Sequence, residues 1–500
     1  MTVETSTMTS APPPPQRSLG SRAAGGAAVT MIGQSAKMVV QFGGIVLLAR
    51  LLTPYDYGLM AMVTAIVGAA EILRDFGLSA AAVQAKHVSR EQRDNLFWIN
   101  SGIGLLLSIV VFASAHLIAN FYKEPALVTI SQALALTFLL NGMTTQYRAH
   151  LSRALRFGQV ALSDVGAQVL GLVAAVAAAL AGWGYWALVV QQVVQALVNL
   201  AIAVGCARWL PRGYRRDAPM AAFMSFGWNL MAAQLLGYAS RNVGQVIIGW
   251  RTGPDALGLY NRAFQLLMMP LNQINAPATS VALPVLSQLQ DDRERFSAFL
   301  LRGQTVMVHL IVALFSFACA LAFPLIVLVL GKQWRAAVPL FQVLTLGGIF
   351  QTAAYATYWV FLAKGLMREQ LVYSLVGRVL LIACIFAGSQ WGAMGVSVGY
   401  TIGLFLIWPL SLIWIGRITD VPVMPLFHNA MRAIVAYGLA GAAAYAASVR
   451  IGGPLWEQLG VGAAAMALSC LLLLVWPAFR RDVVSIISIR KLLMQARARR

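Results

Sequence analysis

The sequence predicts an all-α polytopic membrane protein of about fourteen transmembrane helices, built as two six-helix bundles in pseudo-twofold repeat plus two C-terminal helices. Three observations predict it. The 500-residue chain is 59% hydrophobic and only 11% charged, too few charges to cover a water-facing surface. Apolar runs of about 20 residues, each long enough to cross roughly 30 Å of hydrocarbon, recur from residue 25 to residue 479. Polar turns of closely similar sequence recur about 200 residues apart. Mean hydropathy is +0.73, and over such runs helix is the geometry that hides the backbone from lipid.

The elements follow in order. Residues 1–24 form a disordered tail, because "TSTMTSAPPPPQRS" is polar and proline-rich. It lacks the apolar core of a signal peptide. The first bundle, 25–206, holds apolar spans at 25–51, 57–77, 96–119, 125–147, 158–181 and 183–206. An arginine-rich linker, 207–219, leads to the second bundle, 220–416. Its spans are 220–249, 257–284, 304–330, 336–362, 371–388 and 391–416. Two extra helices, 430–449 and 456–478, occupy 430–479. A basic tail, 480–500, ends in "RKLLMQARARR" and reads as an interfacial anchor.

Charge sets the expected orientation. Starting with the N-terminus inside, the inner segments carry clusters such as Lys86, Arg90 and Arg93, then Arg148, Arg153 and Arg156, then Arg208, Arg212, Arg215 and Arg216. The outer segments carry only Lys123, Arg251, Lys332, Arg335 and Arg450. This alternation is the positive-inside pattern and predicts an even number of spans with both termini in the cytoplasm. The net charge of +20 is thereby assigned to topology and to contact with anionic membrane lipid. No nucleic-acid partner is expected.

The repeat is legible in two turns. "RLLTPYDYG" (Arg50 to Gly58) and "RTGPDALG" (Arg251 to Gly258) align at an offset of 200, pairing Pro54 with Pro254 and Gly58 with Gly258. "AGWGYW" and "SQWGAMG" align Trp183-Gly184 with Trp391-Gly392. The turns occupy equivalent places in two runs of six spans. Six is even, so the halves share one orientation and are related by an axis along the membrane normal. Two such bundles facing one another across a cleft form an alternating-access plan.

Catalytic and metal chemistry find no foothold. There is no phosphate loop, GxSxG or HExxH pattern. Cys206, Cys319, Cys384 and Cys470 stand alone in or beside apolar runs, and His87, His116, His150, His309 and His428 are scattered. No enzyme activity and no cofactor are expected.

The stretch "LLARLLTPYDYGLMAMVTAIVGAAEILRDFGLSAAAVQ" (Leu47 to Gln84) resembles the N-terminal signature of bacterial polysaccharide flippases. These are the Wzx-like lipopolysaccharide and exopolysaccharide exporters of the multidrug/oligosaccharidyl-lipid/polysaccharide superfamily. "SRALRFGQVALSD" (Ser152 to Asp164) and "GPDALGLYNRAFQL" (Gly253 to Leu266) look like later landmarks of the same group. The resemblance implies a transporter in the inner membrane that flips an undecaprenyl-diphosphate-linked oligosaccharide toward the periplasm for lipopolysaccharide or exopolysaccharide synthesis. It implies a polyprenyl-diphosphate oligosaccharide as substrate, with polysaccharide polymerase and export machinery as partners. The alternative is a multidrug/cation antiporter of the same superfamily.

Charges inside spans cost roughly 2.5–3.5 kcal/mol each on insertion scales, so each needs a reason. Lys37 lies near the middle of the first span. Gln34, Lys37 and Gln41 share one face at i, i+3 and i+7. The seventh span offers Gln234, Arg241 and Gln245. Together these six predict a cationic, amide-lined cleft suited to a diphosphate and a hydroxyl-rich sugar. Glu71, Arg74 and Asp75 are spaced for an ion pair or gate in the second span. Asp164 and Arg378 hold roughly equivalent places in the two halves and are expected to pair across the inner mouth. Arg50 and Arg262 are expected to snorkel to the outer face.

Overall fold

The structure is a computed structural model, and it describes residues 19–75, 78, 88–215 and 220–486. Side chains of residues 19–28, of Asp75 and of most of 221–241 lie outside that description, as do residues 1–18 of the tail expected at 1–24 and the last residues, 487–500, while 19–24 already belong to the first helix.

The first bundle consists of α1 (Leu19–Leu51), α2 (Pro54–Asp75), α3 (Arg90–Tyr122), α4 (Ala126–Arg153), α5 (Phe157–Leu180) and α6 (Trp186–Ala207). The next helical stretch, Ala221–Gln288, is broken at Gly253, whose φ of 83° and ψ of −176° are not helical. The parts before and after it are α7 and α8. Then come α9 (Arg293–Ala320), its short continuation α10 (Ala322–Val329), α11 (Ala337–Ala363), α12 (Met367–Gly388) and α13 (Gly392–Ile418). Two more helices, α14 (Val423–Ile451) and α15 (Leu455–Leu473), follow. Among the described residues there is no strand.

The packing repeats. In the first bundle α3 pairs with α4, α4 with α6, and α5 with α6. In the second, α9 pairs with α11, α11 with α13, and α12 with α13. α2 lies against the Ala221–Gln288 stretch, α7 as well as α8, and so joins the bundles. α14 packs on α9, and α15 on α14, so the extra pair stands outside the repeat.

Eleven stretches among the described residues are long and apolar enough to cross a membrane. They take α12 and α13 as one 52-residue run and omit α7 and α8. The physical reason for α8 is its polar content: Asn261, Arg262, Gln265 and Gln273 line the interior and lower its hydropathy. α9 begins at Arg293, well before the apolar run at 304, because its first turns are charged. Asp292 caps them, its carboxylate accepting from the Arg295 N–H at 3.1 Å.

Local chemistry explains the repeated turns. Thr53 precedes α2, Pro54 is its first residue, and Asp56 Oδ2 accepts from Thr53 N at 2.8 Å and Thr53 Oγ1 at 2.7 Å. The Asp56 N–H in turn donates to Thr53 Oγ1 at 3.3 Å. This reciprocal cap starts a helix sharply after α1. Gly253 and Pro254 make the corresponding break before α8. In the other turn pair, Gly184 and Gly392 both adopt positive φ, 53° and 64°, directly after a tryptophan.

The two hairpins meet. A Cβ on Gly58 would collide with the Pro254 carbonyl, and a Cβ on Gly258 would collide with the Pro54 carbonyl. The contact is reciprocal, as a pseudo-twofold axis requires. Around it a clasp joins the bundles. Gln333 Nε2 and Trp334 Nε1 donate to Ala49 O at 2.7 and 2.8 Å. Arg50, exposed at this end, donates to Val329 O at 3.3 Å and to Leu328 O, satisfying carbonyls left open at the end of α10. Trp334 also packs edge-on against Tyr57, with centroids 5.5 Å apart. The hairpin end of the bundle pair is therefore closed.

Candidate functional site

Between the closed hairpin end and the opposite, basic end lie two polar cavities. The upper, of about 510 Å³, takes walls from α1, α2, α5 and α6 of one bundle and from α7 and α8 of the other. The lower, of about 490 Å³, is walled by α1, α4 and α5, with Gln273 of α8 facing them. Gln41 lines both and links them.

The expected α1 face is assembled in the lower cavity: Gln34, Lys37 and Gln41 all line it. Gln245 lines the upper cavity and accepts from Asn261 Nδ2 at 3.0 Å. Gln234 is exposed and lines neither cavity. The Arg241 side chain lies outside the described residues. The seventh-span half of the expected cleft is thus represented here by Gln245.

Glu71 and Asp164 are each paired with an arginine. Arg74 Nε donates to Glu71 at 2.9 Å, and its NH1 donates to Thr145 Oγ1 at 2.7 Å. Asn141 Nδ2 reaches the other Glu71 oxygen at 3.3 Å. This set ties α2 to α4 within one bundle. Asp164 does not pair with Arg378. It takes both guanidinium arms of Arg148, NH2 to Oδ2 being 3.1 Å. The reason is placement: Asp164 on α5 faces α4 of its own bundle, whereas Arg378 sits on α12 of the other, outside both cavities. Arg148 and Asp164 both line the lower cavity, where Lys37 adds a further positive charge.

Sequence reasoning missed the residues that define the upper cavity. Gln168, Gln191, Gln192, Gln195, Asn261 and Gln265 line it, and Gln195 Nε2 donates to Gln168 at 2.8 Å. A signal existed: Gln191, Gln192 and Gln195 interrupt an otherwise apolar run in α6. Arg262 is the larger surprise. It is buried, only 8% exposed, rather than snorkelled. Its guanidinium carbon lies 3.5 Å from the Tyr57 ring centroid, one arm donates to Gln265, and Nε has no partner. No carboxylate lines the upper cavity among the described residues. A cation–π contact in a desolvated site contributes on the order of 2 kcal/mol. Burying an ion costs several kcal/mol even after relaxation. The ring therefore offsets part of that cost and leaves the cavity electropositive. Amide groups can donate and accept with hydroxyls, and the guanidinium with an anion.

Two equivalent helix bundles enclosing a membrane-embedded polar cleft, sealed at one end, define a multi-pass membrane transporter. The chain belongs to the polysaccharide biosynthesis protein family, whose model matches residues 47–339. It is 25% identical over 365 residues to the lipopolysaccharide biosynthesis protein WzxC of Escherichia coli (strain K12), covering 71% of this chain and 72% of that one. It is 27% identical over 431 residues to the teichuronic acid biosynthesis protein TuaB of Bacillus subtilis (strain 168), covering 83% and 88%. The fold matches that of the lipid II flippase MurJ in an inward closed conformation with a TM-score of 0.69, at 11% identity, over 91% of this chain and all of that one.

Proposed function

We propose that this protein flips a polyprenyl-diphosphate-linked oligosaccharide across the inner membrane for lipopolysaccharide or exopolysaccharide synthesis. The observation that carries the reading is the cleft itself: amide-lined above, cationic below, and shared between two bundles. The named relatives act in polysaccharide biosynthesis, which supports the same substrate class. In this reading the basic end faces the cytoplasm, in line with the charge alternation, and the closed hairpins face the periplasm. A lipid-linked glycan enters the lower cavity, where Lys37 meets the diphosphate. The hydroxyl-rich sugars extend into the upper one. The first bundle spans 25–206 and the second 220–416, with helices 430–479 supporting the second.

An antiporter needs a carboxylate free to exchange a cation in the cleft. The carboxylate that lines the cavities, Asp164, is held by Arg148 on both oxygens, which disfavours that reading. Catalysis is likewise not part of the proposal. The experiment is reconstitution: proteoliposomes holding the protein should transfer a fluorescent polyprenyl-diphosphate oligosaccharide between leaflets. Export of cationic dyes with no glycan movement would overturn the proposal in favour of the antiporter.

A further inference from the structure

A third cavity lies apart from the cleft, at the basic end of α3 and α4. It holds about 270 Å³, and its polar lining is Arg93, Gln146, His150 and Arg153. Gln146 is 1% exposed, and its Nε2 has no hydrogen-bond partner. An amide N–H buried without an acceptor is costly, so it points to a ligand that accepts. Arg93 is held flat, its guanidinium carbon 4.3 Å from the Trp209 ring centroid. One of its N–H groups donates to His150 Nδ1 at 3.3 Å, while its Nε is buried and unpartnered. Because a guanidinium only donates, Nδ1 must accept, and a neutral His150 carries its hydrogen on Nε2. The cavity thus gathers two guanidiniums, an imidazole and an amide donor.

Among the described residues, the carboxylate next to Arg93 is already engaged. No carboxylate lines the cavity among the described residues. Asp94, beside Arg93, accepts from Trp209 Nε1 at 3.1 Å. α4 ends here, and the open carbonyls of a helix terminus repel anions. Those of His150, Leu151 and Ser152 are taken by the N–H groups of Ala154, Arg156 and Leu155, each at 3.0 Å. Half an elementary charge from the helix end is outweighed by the full guanidinium charge of Arg93.

We propose that this cavity is a binding site for a phosphate group, placed where spanning helices leave the membrane. Two sources share that chemistry: the headgroup of an anionic phospholipid and a soluble phosphate. The position at the ends of α3 and α4 favours the headgroup. The site stands outside the cleft, so it does not rest on the transport reading.

The test uses the full-length protein in phosphatidylcholine nanodiscs. Binding is measured by native mass spectrometry with added phosphatidylglycerol, and by thermal shift with added sodium phosphate. Gln146→Leu removes the buried donor, Arg153→Gln removes one charge, and exposed Arg90→Gln controls for general basicity at the same end. The wild type and Arg90→Gln should retain phosphatidylglycerol at least about tenfold more tightly than Gln146→Leu or Arg153→Gln, the size of one charge-assisted hydrogen bond. If sodium phosphate protects the wild type but not these two variants, and the lipid does not discriminate, the site stands and its source is soluble. Arg153→Gln keeps the test valid if Gln146→Leu fails to fold. Equal binding of both probes by all four proteins, or an equal loss in Arg90→Gln, would overturn the site.

Discussion

At the scale of single residues, the cleft separates groups that bind from groups that hold the fold. Lys37 lines the lower cavity with no acidic partner among the described residues, whereas Asp164 and Arg148 neutralise each other. A charge-assisted hydrogen bond contributes roughly 1.5–3 kcal/mol. Lys37→Ala should therefore slow flipping about ten- to a hundredfold while expression holds, and Lys37→Arg should fall between. Full transport by well-expressed Lys37→Ala would leave it a packing residue. Arg262 predicts a trade. Its buried charge lacks a carboxylate, so Arg262→Gln should keep or raise the melting temperature and still depress transport. A protein that melts markedly lower would show that the contact with Tyr57 is structural. The α1 face at 34, 37 and 41 was legible because helical spacing alone brings it together. Arg262 was not, because a charge two turns from a hairpin reads like a snorkelling one. Its burial depends on Tyr57, which lies about 200 positions earlier and on the other bundle.

At the scale of elements, the hairpins carry the information. "TPYD" is a helix cap, with Thr53 and Asp56 bonded reciprocally around Pro54. Such a pattern can be read locally, and so could the repeat. The partner of each hairpin could not, because the approach of Gly58 to Pro254 and Gly258 to Pro54 involves backbone atoms that leave no periodic trace. Any larger side chain at either glycine must push the facing helix away. Gly58→Val should thus loosen the closed end. A cysteine pair at Ala49 and Gln333, hydrogen-bonded neighbours across the clasp, should cross-link efficiently in a background without the native cysteines. It should cross-link several-fold less when Gly58→Val is added. Unchanged cross-linking would mean that the clasp holds without the glycine contact.

At the scale of the whole molecule, one closed end and two stacked cavities imply that transport must undo the clasp. The Ala49–Gln333 cysteine pair, oxidised, should stop flipping, and a reductant should restore it. Transport that persists in the oxidised protein would move the gate elsewhere. The orientation has its own check: cysteines at Pro54, Pro254 and Trp391 should react with an impermeant reagent from the periplasm. Overall architecture was the most legible level, since hydropathy and alternating charge report spans directly. The spans of α7 and α8 are legible in the sequence too, although the polar cleft residues of α8, such as Asn261, Arg262 and Gln265, dilute its hydropathy.

The glycine crossing has a consequence for how the two halves diverge. Elsewhere a duplicated chain drifts freely: α1 carries a lysine where α7 has its own polar set, and only the second half is followed by two further helices. At the crossing each half supplies both a bare backbone and the carbonyl that presses on it. A bulky residue gained by one copy cannot be accommodated by shrinking its counterpart in the other, which is already without a side chain. The spot is a shared minimum with no room for compensation, so the two copies remain alike there while the walls of the cleft specialise.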